Sequence, residues 1–112
     1  MADPRPPIAC DLDALTAAER ERRASLARGL VAKARSVREL SDGYALELDP
    51  ADDLARASLD WLLLERRCCR FFHLELALEP DGGALWVSLR GGPGVKELLA
   101  SSGLAAAARG GV

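Results

Sequence analysis

Three segments of the chain, 44–48, 72–78 and 85–89, alternate apolar and polar residues as half-buried strands do. The segment 34–40 is compatible with a strand although it alternates poorly. A Ser-Asp-Gly turn at 41–43 joins the first pair of segments, and a Pro-Asp-Gly-Gly turn joins the second pair. The pattern therefore predicts two β-hairpins.

Three helices are predicted from apolar residues that recur at three- and four-residue steps, over 14–29, 52–69 and 95–102. An aspartate at position 11 or 13 is expected to cap the first helix, and Gly29 is expected to end it. The second helix has the clearest apolar face, which is formed by Leu54, Ala57, Trp61, Leu62 and Cys68 or Cys69. This face is the predicted helix contact of the core.

A short strand over 8–10 completes an order of strand, helix, two strands, helix and two strands before the last helix. The first six elements match a ferredoxin-like α+β sandwich. This two-layer fold has a four- to five-stranded antiparallel sheet, strand order 4-1-3-2, with the helices on one face. If 8–10 is not a strand, the alternative is two helix-hairpin units that share a four-stranded sheet. Both arrangements leave one sheet face bare.

The 112 residues are enough for one domain, which we expect to span 8–102 between flexible segments at 1–7 and 103–112. The formal charge is −2, so no basic excess favours a nucleic-acid partner. The longest apolar run, 61–64, is too short to cross a bilayer, and the first seven residues lack the apolar stretch of a secretory signal. We therefore expect a cytoplasmic protein with neither nucleic-acid nor membrane partners.

Three cysteines, Cys10, Cys68 and Cys69, carry the candidate chemistry. In a reducing cytoplasm they are not expected to form a lasting disulfide, and an odd number leaves one thiol unpaired. In the ferredoxin-like order, the strand that holds Cys10 and the helix that holds the other two reach the same end of the domain. The topology thus predicts that the three sulfurs meet.

Three converging sulfurs suit a soft ion such as Hg(II), As(III) or Cu(I), and together with His73 they suit tetrahedral Zn(II). Successive side chains of a helix diverge by about 100°, so Cys68 and Cys69 face one ion only if the helix ends between them. Glu65 and His73 are the possible accessory residues. The predicted metal ligands are Cys10, Cys68 and Cys69.

Each of these residues also has a structural interpretation. Cys10, on its predicted strand, would pack in the core, and packing accounts for Cys68 and Cys69 as readily as a metal or redox role does. His73 alternates with core-facing neighbours, which favours a surface histidine on the bare side of the sheet. Glu65 is more typical of a solvated or salt-bridged carboxylate than of a ligand to a soft ion.

An enzymatic alternative is a thiol-dependent redox or organometal-cleaving activity. One cysteine would attack, and Glu65 or His73 would move the proton. The end of a helix disfavours a thiolate there, whereas Arg66, Arg67 and Arg70 would favour one. Whether the protein is an enzyme is therefore left open by the sequence.

A third interpretation is a dimeric interaction module with packed cysteines. Trp86 is predicted on the bare face of the sheet, where one indole covers considerable apolar area. Small α+β domains often hide such a face against a second copy. We therefore expect a homodimer that forms through the exposed sheet face.

Two segments, Ile-Ala-Cys-Asp-Leu at 8–12 and Glu-Arg-Arg-Cys-Cys-Arg-Phe-Phe at 65–72, resemble a small bacterial family. Its members are uncharacterised proteins or C-terminal extensions of MerR-type metal-responsive regulators, and the resemblance covers about 8–100. It implies an association with heavy-metal or organomercurial response, carried by the three cysteines. The chain has no helix-turn-helix segment, so DNA binding is not implied. A weaker likeness in fold is to copper metallochaperones, whose Cys-x-x-Cys loop is missing here.

Overall fold

The computed structural model describes residues 9–102, so the predicted flexible segments 1–7 and 103–112 lie outside the described residues. A single-turn 3-10 helix is followed by two helix-hairpin units and a last helix. The elements are Leu12–Ala14 (3-10), α1 (Ala17–Lys33), β1 (Ser36–Leu40), β2 (Gly43–Leu48), α2 (Asp52–Cys68), β3 (His73–Leu78), β4 (Leu85–Arg90) and α3 (Val95–Ser101). Among them, none of the helices combines the length and the hydropathy that crossing a bilayer requires.

The four strands form one antiparallel sheet in the order β1-β2-β4-β3. The predicted α+β class is confirmed, and the sheet with its three helices is compatible with a ferredoxin-like sandwich. The strand β4 lies between β2 and β3, in the position that the ferredoxin-like order gives to the first strand. The observed order is therefore the ferredoxin-like order with its first strand moved to the end of the chain.

The predicted strand over 8–10 is wrong in the part that the structure describes. Ala9 and Cys10 do not pair with the sheet, and Ile8 lies outside the described residues. The reason is β4, which pairs with both β2 and β3 along its whole length and so occupies the central position. The alternative of two helix-hairpin units around a shared sheet is the arrangement observed.

Helix α1 begins and ends later than predicted. Thr16 caps it, because the Thr16 hydroxyl accepts a hydrogen bond from the Glu19 N–H and the Glu19 carboxylate accepts one from the Thr16 N–H. Asp11 caps the preceding 3-10 helix instead. Gly29 does not end α1, because Leu30 is buried in the core and its burial offsets the cost of a helical glycine.

One face of the sheet carries the core. The helices and the sheet meet through buried residues of β2 and β4 and through residues of all three helices, which are Tyr44, Leu46, Leu48, Leu85, Val87, Leu89, Leu30, Leu54, Trp61, Leu62, Val95 and Leu99. In each strand these residues alternate, so they lie on the same side. The three helices therefore cover one face, as predicted.

The opposite face of the sheet carries polar contacts. The guanidinium carbon of Arg38 lies 4.4 Å from the ring centroid of Trp86, which is a cation–π contact. Arg90 donates hydrogen bonds to Asp42 at 3.0 Å and to Glu75 at 2.9 Å. Trp86 thus lies on the open face, partly covered by an arginine of the same chain.

Candidate functional site

Helix α2 ends between two cysteines. Cys68 is its last residue, and Cys69 departs from helical geometry with φ −118° and ψ 75° while its N–H still donates to the Glu65 carbonyl oxygen at 2.7 Å. The Phe72 N–H then donates to the Cys69 carbonyl oxygen, and β3 begins at the next residue. Because the helix stops here, the two neighbouring side chains converge. Their Sγ atoms are 3.5 Å apart.

A disulfide bond joins Cys10 to Cys69. The expectation that the cysteines form no disulfide is thus wrong for this structure, because folding brings the two Cα atoms to 4.4 Å, a separation that a disulfide spans. The backbone next to Cys10 is held in place by the Asp11 N–H, which donates to the Cys68 carbonyl oxygen at 2.6 Å. All three sulfurs meet at the end of α2, and their role as metal ligands stays a prediction.

The three cysteines differ in exposure. Cys68 and Cys69 are 1% and 0% exposed and pack against Leu15 and Leu64, whereas Cys10 is exposed. The predicted core role of Cys10 is therefore wrong, because this residue lies in a surface segment and not in a strand. Cys68 is free, and its burial raises the pKa of its thiol.

A buried ion pair lies against the sulfurs. Arg23, on α1, places its Nε 2.9 Å from Glu65 Oε2, and its Nη2 donates to Glu65 Oε1 at 3.1 Å. The Trp61 indole N–H donates to Oε2 at 2.8 Å. Arg23 Nη2 also lies 3.8 Å from Cys69 Sγ. Glu65 is thus a buried, salt-bridged carboxylate with both oxygens engaged, and its guanidinium partner touches the cluster.

Arg23 is the residue of this site that the sequence interpretation misses. The three arginines that neighbour the cysteines in sequence, at positions 66, 67 and 70, are exposed. The available signal is the position of Arg23 seven residues before the buried Leu30, which places both on the same side of α1. A charged residue on the inward stripe of a helix implies a buried partner of opposite charge.

A cavity of about 540 Å³ lies beside the cluster. Cys10, Arg23 and Glu65 line it on the side of the cluster, and Arg28, Ser101 and Ser102 are its other polar lining residues. Its remaining walls come from α1, α2, β4 and α3 and are mostly apolar, with Val31, Trp61, Leu89 and Leu99 among them. Of the three cysteines, Cys10 lines the cavity, so a small molecule in it would meet the sulfur of Cys10.

His73 lies apart from the cluster. The candidate ligand atoms of Glu65, Cys68 and Cys69 all lie within 4.8 Å of one another, and His73 does not belong to this group. Cys10 is not a member either, but it is bonded to Cys69. Its side chain is 69% exposed, at the start of β3, with Nε2 3.9 Å from Glu75. The interpretation of His73 as a surface histidine fits this position.

Comparisons of the chain with models of known protein families, with curated proteins and with solved structures found no match. The resemblance to the MerR-associated family therefore stays a prediction. The arrangement itself supports two kinds of chemistry. The observed form holds a disulfide with a third thiol in contact, and its reduction would give three thiols, the donor type that soft ions prefer.

Proposed function

We propose that the protein, in its reduced state, binds a soft metal or metalloid ion through the thiolates of Cys10, Cys68 and Cys69, as a binding or sensing protein of the Hg/As type. The observation that carries the proposal is the meeting of three sulfurs at the end of α2, although Cys10 and Cys69 are 59 positions apart in sequence. Sulfur is the donor that such ions prefer.

The contact between the two neighbouring sulfurs supports a shared ion. With bonds of about 2.3 Å from each sulfur to the ion, a separation of 3.5 Å corresponds to an angle of about 100° at the ion. Cys68 and Cys69 thus need little movement to bind together. Cys10 is bonded to Cys69, so reduction leaves its thiol beside the same pair.

The accessory residues of the proposal act differently from each other. Both oxygens of Glu65 already accept hydrogen bonds, from Arg23 and from Trp61, so Glu65 acts by fixing the guanidinium and not as a ligand. His73 has no part in the proposed site, because it lies on the open sheet face. Tetrahedral Zn(II) bound by the three cysteines and His73 is therefore not what we propose.

The proposal places the protein in the cytoplasm, where thiols are kept reduced. There the disulfide between Cys10 and Cys69 is the oxidised form of the site. Exchange with cellular thiols supplies the two electrons that return both sulfurs to thiols. Ion binding and disulfide formation then compete for the same two sulfurs.

Titration of the reduced protein with Hg(II) tests the proposal. We expect one ion per chain by native mass spectrometry, retained against a competing small thiol. Cys69→Ser should weaken binding severely, whereas His73→Gln, the matched control on the open face, should bind as the wild type does. Equal retention by the Cys69→Ser protein, or no retention by the wild type, would refute the function.

A second candidate is a thiol-dependent redox enzyme, which the contact between the free Cys68 and the Cys10–Cys69 disulfide favours. In this case Arg23, 3.8 Å from Cys69 Sγ, would stabilise a Cys69 thiolate after reduction. A pKa of the Cys69 thiol well below the ordinary value of about 8.5 supports the enzyme, and an ordinary value supports ion binding. Thiol alkylation at varied pH measures it, with Cys10→Ser and Cys68→Ser combined so that only one thiol reacts.

Homodimer formation through the open sheet face belongs to the proposal as well. Trp86 and the ion pairs of Arg90 with Asp42 and Glu75 lie on this face. Sedimentation of the wild type and of Trp86→Ser distinguishes the cases. A dimer that Trp86→Ser dissociates supports the interface, and a wild-type monomer rejects it. We propose no nucleic-acid partner, since the chain has no basic excess.

A further inference from the structure

We infer that the reduced site is built for a trivalent metalloid of the arsenite and antimonite class, held by all three cysteine sulfurs with no fourth protein ligand. This inference rests on the proposed function and names its ion class. Two properties of the site support the inference. The charges around the sulfurs balance, and the cluster has no further free donor among the described residues.

The charges around the sulfurs favour a trivalent ion. Arg23 and Glu65 form an ion pair and cancel each other. Cys68 and Cys69 are buried, so a net charge on their two sulfurs is poorly solvated, although Cys10 is exposed. Three thiolates with a trivalent ion make a neutral complex. A divalent ion bound by the same three sulfurs leaves one negative charge, and a monovalent ion leaves two.

The number of donors favours a three-coordinate ion. Within residues 9–102, the one group of candidate ligand atoms that lie within 4.8 Å of one another is Glu65, Cys68 and Cys69, and Cys10 adjoins it through its disulfide to Cys69. Hydrogen bonds from Arg23 and Trp61 occupy both oxygens of Glu65. Structural Zn(II) requires four protein ligands. A trivalent metalloid needs three, because its lone pair occupies the remaining position. The angle of about 100° derived from the contact between Cys68 and Cys69 suits such a pyramid.

Binding exchanges ligands at the arsenic and does not change its oxidation state. Neutral arsenous acid, As(OH)₃, reacts with three thiols, so that three As–S bonds form, three As–O bonds break, and the thiol protons leave with the hydroxides as three water molecules. No charge enters or leaves. A neutral molecule of this size can approach through the cavity that Cys10 lines. The disulfide must first take up two electrons from a thiol reductant.

Equilibrium dialysis of the reduced full chain against arsenite tests the inference. We expect one arsenic per chain, and we expect each of Cys10→Ser, Cys68→Ser and Cys69→Ser to lower the affinity by at least about a hundredfold. A roughly tenfold molar excess of Zn(II) should not displace the arsenic. An affinity unchanged in any one serine variant would show a two-sulfur site and overturn the inference.

Changing the charge of the ion pair gives a second, independent test. Glu65→Gln leaves the Arg23 charge without a partner, which favours a negatively charged complex. The affinity for Zn(II) relative to arsenite should then rise about tenfold, whereas Glu75→Gln, on the open face, should leave the ratio unchanged. An unchanged or lowered ratio in Glu65→Gln overturns the charge argument. If this variant does not fold, the serine variants decide.

The two proposals fail in different ways. Retention of Hg(II) without retention of arsenite rejects the trivalent class and leaves the soft-ion function intact. Loss of both ions from the reduced wild-type protein rejects the function itself. Displacement of arsenite by Zn(II) rejects the three-coordinate site alone.

Discussion

Arg23 and Glu65 form an ion pair with two contacts beside the cysteine sulfurs. Arg23 Nε lies 2.9 Å from Glu65 Oε2, and Arg23 Nη2 lies 3.1 Å from Glu65 Oε1. The pair links α1 to the end of α2. The side chain of Glu65 is 4% exposed and that of Arg23 is 24% exposed, so the two charges are largely withdrawn from water. Breaking such a pair leaves one charge buried, which costs more than the pair itself contributes.

Glu65→Gln should therefore lower the free energy of unfolding by about 2–3 kcal/mol, less than for a completely buried pair because Arg23 keeps some contact with water. Urea denaturation of the oxidised protein measures the change. The double variant Arg23→Met with Glu65→Leu removes both charges and should recover most of the loss. A single variant as stable as the wild type would mean that the pair is solvated.

Reduction of the disulfide should destabilise the protein. The bond between Cys10 and Cys69 spans 59 positions, and closing a loop of that length in the unfolded chain is worth about 4 kcal/mol in the chain-entropy model. We expect a loss of this order on adding reductant, measured by denaturant unfolding. Cys10→Ser should be insensitive to reductant, and Cys68→Ser should respond as the wild type does. Sensitivity of Cys10→Ser would contradict this assignment of the disulfide.

At acid pH the folded protein should lose the contribution that Glu19 makes to its stability. Its carboxylate accepts a hydrogen bond from Arg67 at 2.7 Å and another from the Thr16 N–H, which lower the pKa of Glu19 from 4.5 to about 2. Because the folded-state pKa is the lower one, this contribution is present above pH 4.5 and is lost as the pH falls to about 2. The stability difference between the wild type and Glu19→Gln should shrink over that window.

Thermal unfolding at neutral pH and at several points of the acid window measures that difference. Glu21→Gln is the matched control, because Glu21 is exposed and forms no ion pair within the part of the chain that the structure describes. A constant difference for Glu19→Gln at every pH would show that the contact with Arg67 does not form in solution.

The ion and the disulfide should exclude each other. Oxidation joins the sulfurs of Cys10 and Cys69 in a disulfide, so that neither is a thiolate ligand. The oxidised protein should therefore bind arsenite at least about a hundredfold more weakly than the reduced protein does. Conversely, one equivalent of arsenite should slow disulfide formation when the reduced protein meets an oxidant. The rate of loss of free thiols measures this protection. An oxidised protein that retains arsenite as well as the reduced one would place the ion elsewhere.

The hairpins and α2 are predictable because their signals are local. Alternation and turn residues define each hairpin, and the apolar stripe of α2 has helical spacing over its whole length. The start of α1 has a local signal that our prediction did not use, since Thr16 followed three residues later by Glu19 is the pattern of a capping box. The end of α1 has no local signal, because the packing of Leu30 on the core decides that the helix continues past Gly29.

The site is predictable only in part. That Cys68 and Cys69 stand at a helix end follows from the onset of the next strand, and the structure bears this out. Cys10 lies in a different kind of segment from the one predicted. This segment is at the surface and is held to α2 by the Asp11 N–H, whereas the prediction was a central strand. The partnership of Arg23 with Glu65 depends on the packing of α1 against α2, which no local pattern specifies.

The most direct test of the three-sulfur site is X-ray absorption spectroscopy at the arsenic edge on the reduced protein loaded with one equivalent of arsenite. We predict a first shell of three sulfur atoms and no oxygen, with a sulfur lost in each of the Cys10→Ser, Cys68→Ser and Cys69→Ser proteins. A shell that contains oxygen in the wild type, or one that keeps three sulfurs in any of these variants, would contradict it.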